Sequence, residues 1–286
     1  MKIGLVDIGG GMKGMYGAGV TDAFLDEGLS FDLCVGVSAG AANIASFTAG
    51  QRGRDYRFFA RYSQRQEYMS PKNFLKNGNY FDLGYIYGEL SAPDGEDPYD
   101  AEASLSGPCD FEFVATDALT GEPEYFGKDA LREYGTKLLM ASSAIPVLCR
   151  PVNVGGREYF DGGVSDPIPA ARAFSLGCDF VAVIDANPPD MVKQPERPKA
   201  VYSEVLKKYP AIVGRLEKRH ELFNSEKEFC VKAQNEGRAL ILNPSEDPGV
   251  STATRDADRL DALYNIGLKD GHAAARVIKM KTEEAK

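Results

Sequence analysis

Positive charge, histidine and long apolar runs are all scarce in this 286-residue chain, and each shortage removes a class of function. Lys and Arg number 33 against 42 Asp and Glu, a formal net charge of -9. Binding a phosphate backbone is driven by clustered Lys and Arg, so a net charge of this sign argues against a nucleic-acid partner. No apolar run approaches the roughly 20 residues needed to cross a bilayer. The segment from Met1 to Asp7 lacks a long apolar region with a cleavage site and reads as a core strand, so the expected location is cytoplasmic. The five cysteines (Cys34, Cys109, Cys149, Cys178, Cys230) are odd in number and too scattered for a zinc pattern. In strand-like surroundings a free cysteine is a small hydrophobe, and no metal site is expected. Histidine, the usual partner of a nucleophilic serine, occurs only as His220 and His272.

What is present is more telling. Gly36-Val37-Ser38-Ala39-Gly40 follows the apolar run that begins at Leu33, and Ala41, Ala42, Ile44 and Ala45 follow it as a small-residue helix. A strand that turns sharply into a helix crowds its own backbone, and flanking glycines relieve the crowding. The serine hydroxyl is left at the tip, facing unpaired N–H groups and the positive end of the helix dipole. This is the pattern of a nucleophile elbow.

The length suits one large α/β domain, expected to span 1–286. Lys2 to Ile8 and Leu33 to Val37 read as strands flanking a helix that ends near Glu27, the unit that builds a parallel sheet by a right-handed crossover. Further strands are expected at Asp110 to Thr116, Glu158 to Phe160, Asp179 to Ala186 and Ala239 to Leu242, with Gly155-Gly156 turning a hairpin. Charged helix is expected from Tyr202 to Glu236, and a terminal helix from Arg255 to about Lys279. Arg54, Arg57, Arg61 and Arg65 recur at helical steps beside Phe58, Phe59 and Tyr62, describing one amphipathic helix with a basic face. That face reads either as a solvated stripe or as a contact for lipid phosphates. Asn187 to Pro198 is proline-rich and poor in apolar residues, and is expected to cover a ligand site at the ends of parallel strands.

Gly9-Gly10-Gly11-Met12-Lys13-Gly14 matches the G-x-G-x-x-G of a dinucleotide site. That reading needs a carboxylate closing the second strand, where the chain has Val37-Ser38 instead. The turn is better explained as a cradle of N–H donors for an oxyanion beside Ser38. Two bases are open to the serine. Ser38, Asp161 and His272 stand in the chain order of an α/β-hydrolase triad, although that fold places its elbow deeper in the sheet. Asp161 ends a strand and precedes Gly162-Gly163, which would let it approach the serine closely; its plain reading is a turn aspartate.

Together these residues resemble the patatin-like phospholipases. Gly-Gly-Gly-x-Lys-Gly at 9–14, Gly-x-Ser-x-Gly at 36–40 and Asp-Gly-Gly at 161–163 are similar to that family's three signatures, in its order. Ala115-Thr116-Asp117, Thr120-Gly121-Glu122 and the stretch Ala141 to Pro146 are similar to further family blocks, so the likeness covers most of residues 3–186. Lys13 stands where many members carry arginine, and Ile8 where a bacterial subgroup tends to carry an acidic residue. The resemblance implies a three-layer α/β/α sandwich with a mainly parallel central sheet, a catalytic core of about 3–186, and C-terminal helical and strand elements over 200–280. It also implies a Ser38–Asp161 dyad with the Gly9 to Gly14 turn as oxyanion hole. The expected activity is hydrolysis of lipid acyl esters through an acyl-enzyme, with transient contact at a membrane surface and no cofactor. Acyl transfer, the His272 esterase and a non-catalytic lipid-binding protein are the other readings.

Overall fold

The computed structural model describes residues 1–284. Eight strands form one sheet: β1 (Ile3–Asp7), β2 (Leu33–Val37), β3 (Asp110–Asp117), β4 (Pro123–Phe126), β5 (Val152–Val154), β6 (Arg157–Asp161), β7 (Phe180–Ile184) and β8 (Ala239–Leu242). Traced through hydrogen-bonded neighbours the path runs β5-β6-β3-β2-β1-β7-β8, with β4 also paired to β3. The run β3-β2-β1-β7-β8 is parallel, and β4, β5 and β6 add an antiparallel margin.

Every residue of β1, β2 and β7 is buried, as strands covered on both faces must be. Period-two alternation sends Leu5, Cys34 and Ala182 to one face and Val6, Val35, Val181 and Val183 to the other. The first face packs on α1 (Gly14–Asp26), α2 (Ala39–Thr48) and more peripheral helices: α3 (Arg54–Tyr56), α5 (Ala101–Ser106), α6 (Lys128–Tyr134) and α7 (Lys137–Ser142), while α4 (Pro71–Asn77) lies outside this core with no buried residue. The second packs on α8 (Ala170–Ser175) and α10 (Pro210–Asn235), with α9 (Lys199–Val205) at its edge. The terminal α11 (Ala257–Glu284) returns to the first face and lies close on α1, where a Cβ at Gly19 or Gly267 would run into the opposing backbone. The result is a three-layer α/β/α sandwich. Among the described residues no helix is long and apolar enough to cross a membrane.

Two local expectations change. The charged stretch from Tyr202 breaks into α9 and α10, because Pro210 starts a new helix at its first turn. The arginine-rich stretch is not one helix with a basic face. After α3 the chain winds as π-helix over Arg57–Arg61 and as 3-10 helix over Tyr62–Gln64, so a stripe drawn at 3.6 residues per turn does not survive. Arg54 is fully buried against Ser46, Ser91 and the Phe58 ring, Arg57 forks onto Asp97, and Arg65 forks onto Glu96. Those three arginines hold the polar loop at 94–98.

β3 sets the register of the site. Its residues 113–116 pair with β4 on one edge. The other edge is shared in succession: β2 takes it up to Val37 opposite Val114, and β6 takes it from Asp161 opposite Ala115. The strand that delivers Ser38 therefore stops one position before the strand that delivers Asp161 arrives.

Candidate active site

Ser38 joins β2 to α2 with φ 57° and ψ -128°, a left-handed conformation that strains any residue with a Cβ. The turn closes only because its neighbours have none. A Cβ at Gly36 would stand 2.5 Å from the Ala41 Cα, and one at Gly40 would run into the Asp7 carbonyl. The Ser38 N–H donates to Ser142 Oγ at 2.9 Å, anchoring the elbow to the end of α7. Its hydroxyl makes no capping bond to α2 and is left for other work. Val147, the other non-glycine residue with a positive φ (73°) among the described residues, lines the same cavity.

Asp161 ends β6 and caps the short turn Gly162–Val164, its Oδ1 accepting the Gly163 N–H at 2.8 Å. Gly162 is pressed against β3, where a Cβ would collide with the Val114 carbonyl. Burial pushes the Asp161 carboxyl above the usual range, while the Ser38 hydroxyl, the Arg219 charge and the Gly163 N–H pull it part of the way back. Arg219, from α10, donates its Nε–H to the Gly163 carbonyl. The guanidinium Nη2 and Asp161 Oδ1 lie 3.2 and 3.1 Å from where a Gly163 Cβ would stand.

The glycine-rich turn follows β1. Gly9, Gly10 and Gly11 all have positive φ (66°, 117° and 63°). The Gly9 N–H donates to Asp7 Oδ1 at 2.9 Å and the Met12 N–H to the Thr252 carbonyl at 3.1 Å. The Gly10 and Gly11 N–H groups donate to no protein acceptor among the described residues. Asp7 is itself fixed by Asn43 Nδ2 at 2.8 Å, and burial raises its pKa to about 6 against the pull of Asn43 and Gly9. Gly14 lets α1 approach the elbow, since a Cβ there would stand 2.8 Å from the Ala39 Cβ. Lys13 Nζ donates to Asn187 Oδ1 at 2.9 Å.

These elements enclose a cavity of about 550 Å³ lined by Gly9, Gly10, Gly11, Lys13, Ser38, Asp161 and Gly163. A second, apolar recess of about 40 Å³ also borders Ser38, beside Met12, Phe59, Tyr68, Phe81 and Tyr87. Gly36, Val37, Ala39, Gly40 and Gly162 shape the backbone around the two carboxyl and hydroxyl groups. Neither histidine lines the cavity, and His272 Nδ1 pairs with Glu27 Oε1 at 3.1 Å beside the C-terminal end of α1. The triad order Ser38, Asp161, His272 is thus not brought together. The segment at 187–198 carries no helix or strand and borders the cavity through Met191, Lys193, Glu196 and Arg197. Asp7, Asn43 and Arg219 escaped the sequence reading, because the Asn43–Asp7 and Arg219–Gly163 contacts join residues distant in the chain with no local pattern to mark them; Ser142 lay in the stretch Ala141 to Pro146 but was given no role there. Among the described residues no cluster of His, Cys, Asp and Glu is arranged to hold a metal.

The arrangement has known counterparts. A family model described as patatin-like phospholipase matches residues 8–174, and a domain of unknown function, DUF6363, matches residues 209–279. An uncharacterised Escherichia coli protein, YjjU, is 35% identical over 199 residues, 68% of this chain and 55% of that protein. Saccharomyces cerevisiae lysophospholipase NTE1 is 23% identical over 299 residues, 94% of this chain and 16% of that protein. The chain thus spans about half of the first and under a fifth of the second. The crystal structure of VipD from Legionella pneumophila shares the fold at a TM-score of 0.50 and 14% identity, covering 96% of this chain and 67% of that one.

Proposed function

The chain belongs to the patatin-like phospholipase family, and on that premise we propose that it hydrolyses carboxylic esters of lipids, with Ser38 as nucleophile and Asp161 as its base. Ser38 Oγ attacks the acyl carbonyl while Asp161 takes the hydroxyl proton. The free N–H groups of Gly10 and Gly11, with the N-terminus of α2, receive the negative charge of the tetrahedral oxygen. As the intermediate collapses, Asp161 passes that proton to the leaving oxygen, which expels the alcohol, restores the carboxylate and leaves an acyl group on Ser38. Water, activated by the same carboxylate, then releases the fatty acid.

The observation that carries this reading is the succession of β2 and β6 along one edge of β3, ending at Val37 and Asp161. It needs no metal or organic group to generate the nucleophile. A raised carboxyl pKa suits the role, because a base closer to neutrality takes an alcohol proton with less penalty. We further propose that residues 1–286 act as one unit, since α11 closes on α1 beneath the glycine-rich turn. The test is hydrolysis of short- and long-chain acyl esters, phospholipids and lysophospholipids by the purified protein and its Ser38→Ala form. Turnover of at least one ester that vanishes with Ser38 supports the proposal. Equal rates for the two proteins on every substrate reject it.

A further inference from the structure

The 550 Å³ cavity has a charge pattern that the ester chemistry leaves unused. Four cations border it, Lys13, Lys193, Arg197 and Arg219, against two carboxylates, Asp161 and Glu196. Glu196 is where two of those cations meet. Its Oε1 lies 2.8 Å from Arg219 Nη1 and 3.5 Å from Lys193 Nζ, so a single carboxylate oxygen serves both. Glu196 belongs to the segment 187–198, which is pinned to α10 upstream of it. The Lys193 N–H donates to Asn224 Oδ1, Asn224 Nδ2 donates to the Lys193 carbonyl, and Lys227 Nζ donates to the Met191 carbonyl. Among the described residues, no hydrogen bond or ion pair of the Glu196 side chain goes beyond those two cations.

We propose that Lys193 and Arg219 form a seat for an anionic phosphate on the substrate's headgroup, and that Glu196 is a resident counter-anion which occupies the seat in the empty protein and yields it to that phosphate. The inference rests on the reading of function above. A phosphate presents three strong acceptor oxygens to a fork and an ammonium at once, where the carboxylate offers one shared oxygen, so exchange gains hydrogen bonds without leaving either cation bare. An empty seat would be costly. Burial, with Arg219 and Lys13 nearby, already pushes the Lys193 pKa below its ordinary value. Glu196 supplies the compensating charge: burial pushes its carboxyl up, and Arg219 and Lys193 more than reverse this. Ser38 lines both this cavity and the apolar recess, so a phosphate seated at Lys193 and Arg219 lies in the same cavity as the reacting hydroxyl.

The test compares two soluble lipids that differ only in the phosphate, 1-hexanoylglycerol and 1-hexanoylglycerol 3-phosphate. The ratio of their kcat/KM values (phosphorylated over neutral) is expected to rise by about tenfold in Glu196→Gln, mostly through KM, and to fall by a similar factor in Lys193→Met, the scale of one partly desolvated ion pair. Inorganic phosphate is expected to inhibit hydrolysis of the neutral lipid competitively, and more strongly in Glu196→Gln. Calorimetric binding of the same lipid pair to Ser38→Ala protein, with and without each seat substitution, reads the seat without turnover. A failure of ester hydrolysis therefore sinks the functional reading alone, while unchanged ratios and unchanged relative binding in both variants overturn the seat. A lower ratio in Glu196→Gln would overturn the counter-anion role specifically.

Discussion

Replacing Arg219 with methionine is expected to move the acidic limb of the pH–rate profile to higher pH. Asp161 must be ionised to take the Ser38 proton, and the positive guanidinium is one of the influences that holds its pKa down. Both groups lie just over 3 Å from the same point beside Gly163, so they are at most ~6 Å apart. At that distance and an effective dielectric near 20, the attraction is about 3 kcal/mol. The Arg219 side chain is 26% exposed and shares its charge with Glu196, which screens the attraction to about 1–2 kcal/mol. The sign is fixed: loss of the cation raises the Asp161 pKa, so a higher pH is needed to ionise the base. The assay is kcat/KM against pH on a short neutral ester, which reports the free protein's base. Arg219→Lys should recover most of the shift, whereas a purely structural loss would lower the rate at every pH without moving the limb. A limb that stays in place, or moves to lower pH, refutes the electrostatic role given to Arg219.

The strain at the elbow makes Ser38→Gly an expected stabiliser relative to Ser38→Ala. Relief of a left-handed Cβ is worth about 1–3 kcal/mol, against about 0.5–1 kcal/mol for glycine's extra freedom when unfolded; thermal melts in which the glycine form melts lower would remove the strain argument. Asp55, buried with the Ser46 hydroxyl, has its pKa raised to about 7 by burial against the pull of Arg54 and Ser46. The native state therefore keeps a proton that the unfolded chain releases near pH 4, and this contribution, ~2–4 kcal/mol, is full below pH 4 and lost as pH rises through 7. Chemical denaturation between pH 4 and 8 should show a shallower decline in Asp55→Asn than in the parent chain, and parallel curves would count against the burial argument.

The parallel core and the elbow were legible in the sequence because both are written locally. A five-residue apolar strand followed by Gly-x-Ser-x-Gly states its own geometry, and Asp161 announced itself through the glycines behind it. What stayed hidden depends on partners far along the chain. Asn43 meets Asp7 across 36 residues, Arg219 meets Gly163 across 56, and neither sits in a recurring pattern. The arginines from 54 to 65 misled for a related reason. Their spacing fits a solvated helical stripe, but the acids at 96 and 97 that pair with Arg57 and Arg65, and the π-helical winding that breaks the spacing, are consequences of tertiary packing.

The claim that Ser38 and Asp161 act as a pair is tested most directly by covalent trapping. After reaction with a fluorophosphonate ester, peptide mapping by mass spectrometry is expected to find the adduct on Ser38 alone, with labelling slowed by about 10²–10⁴ in Asp161→Asn, the range over which a positioned base contributes. An adduct on another residue, or wild-type labelling kinetics in Asp161→Asn, would contradict the account.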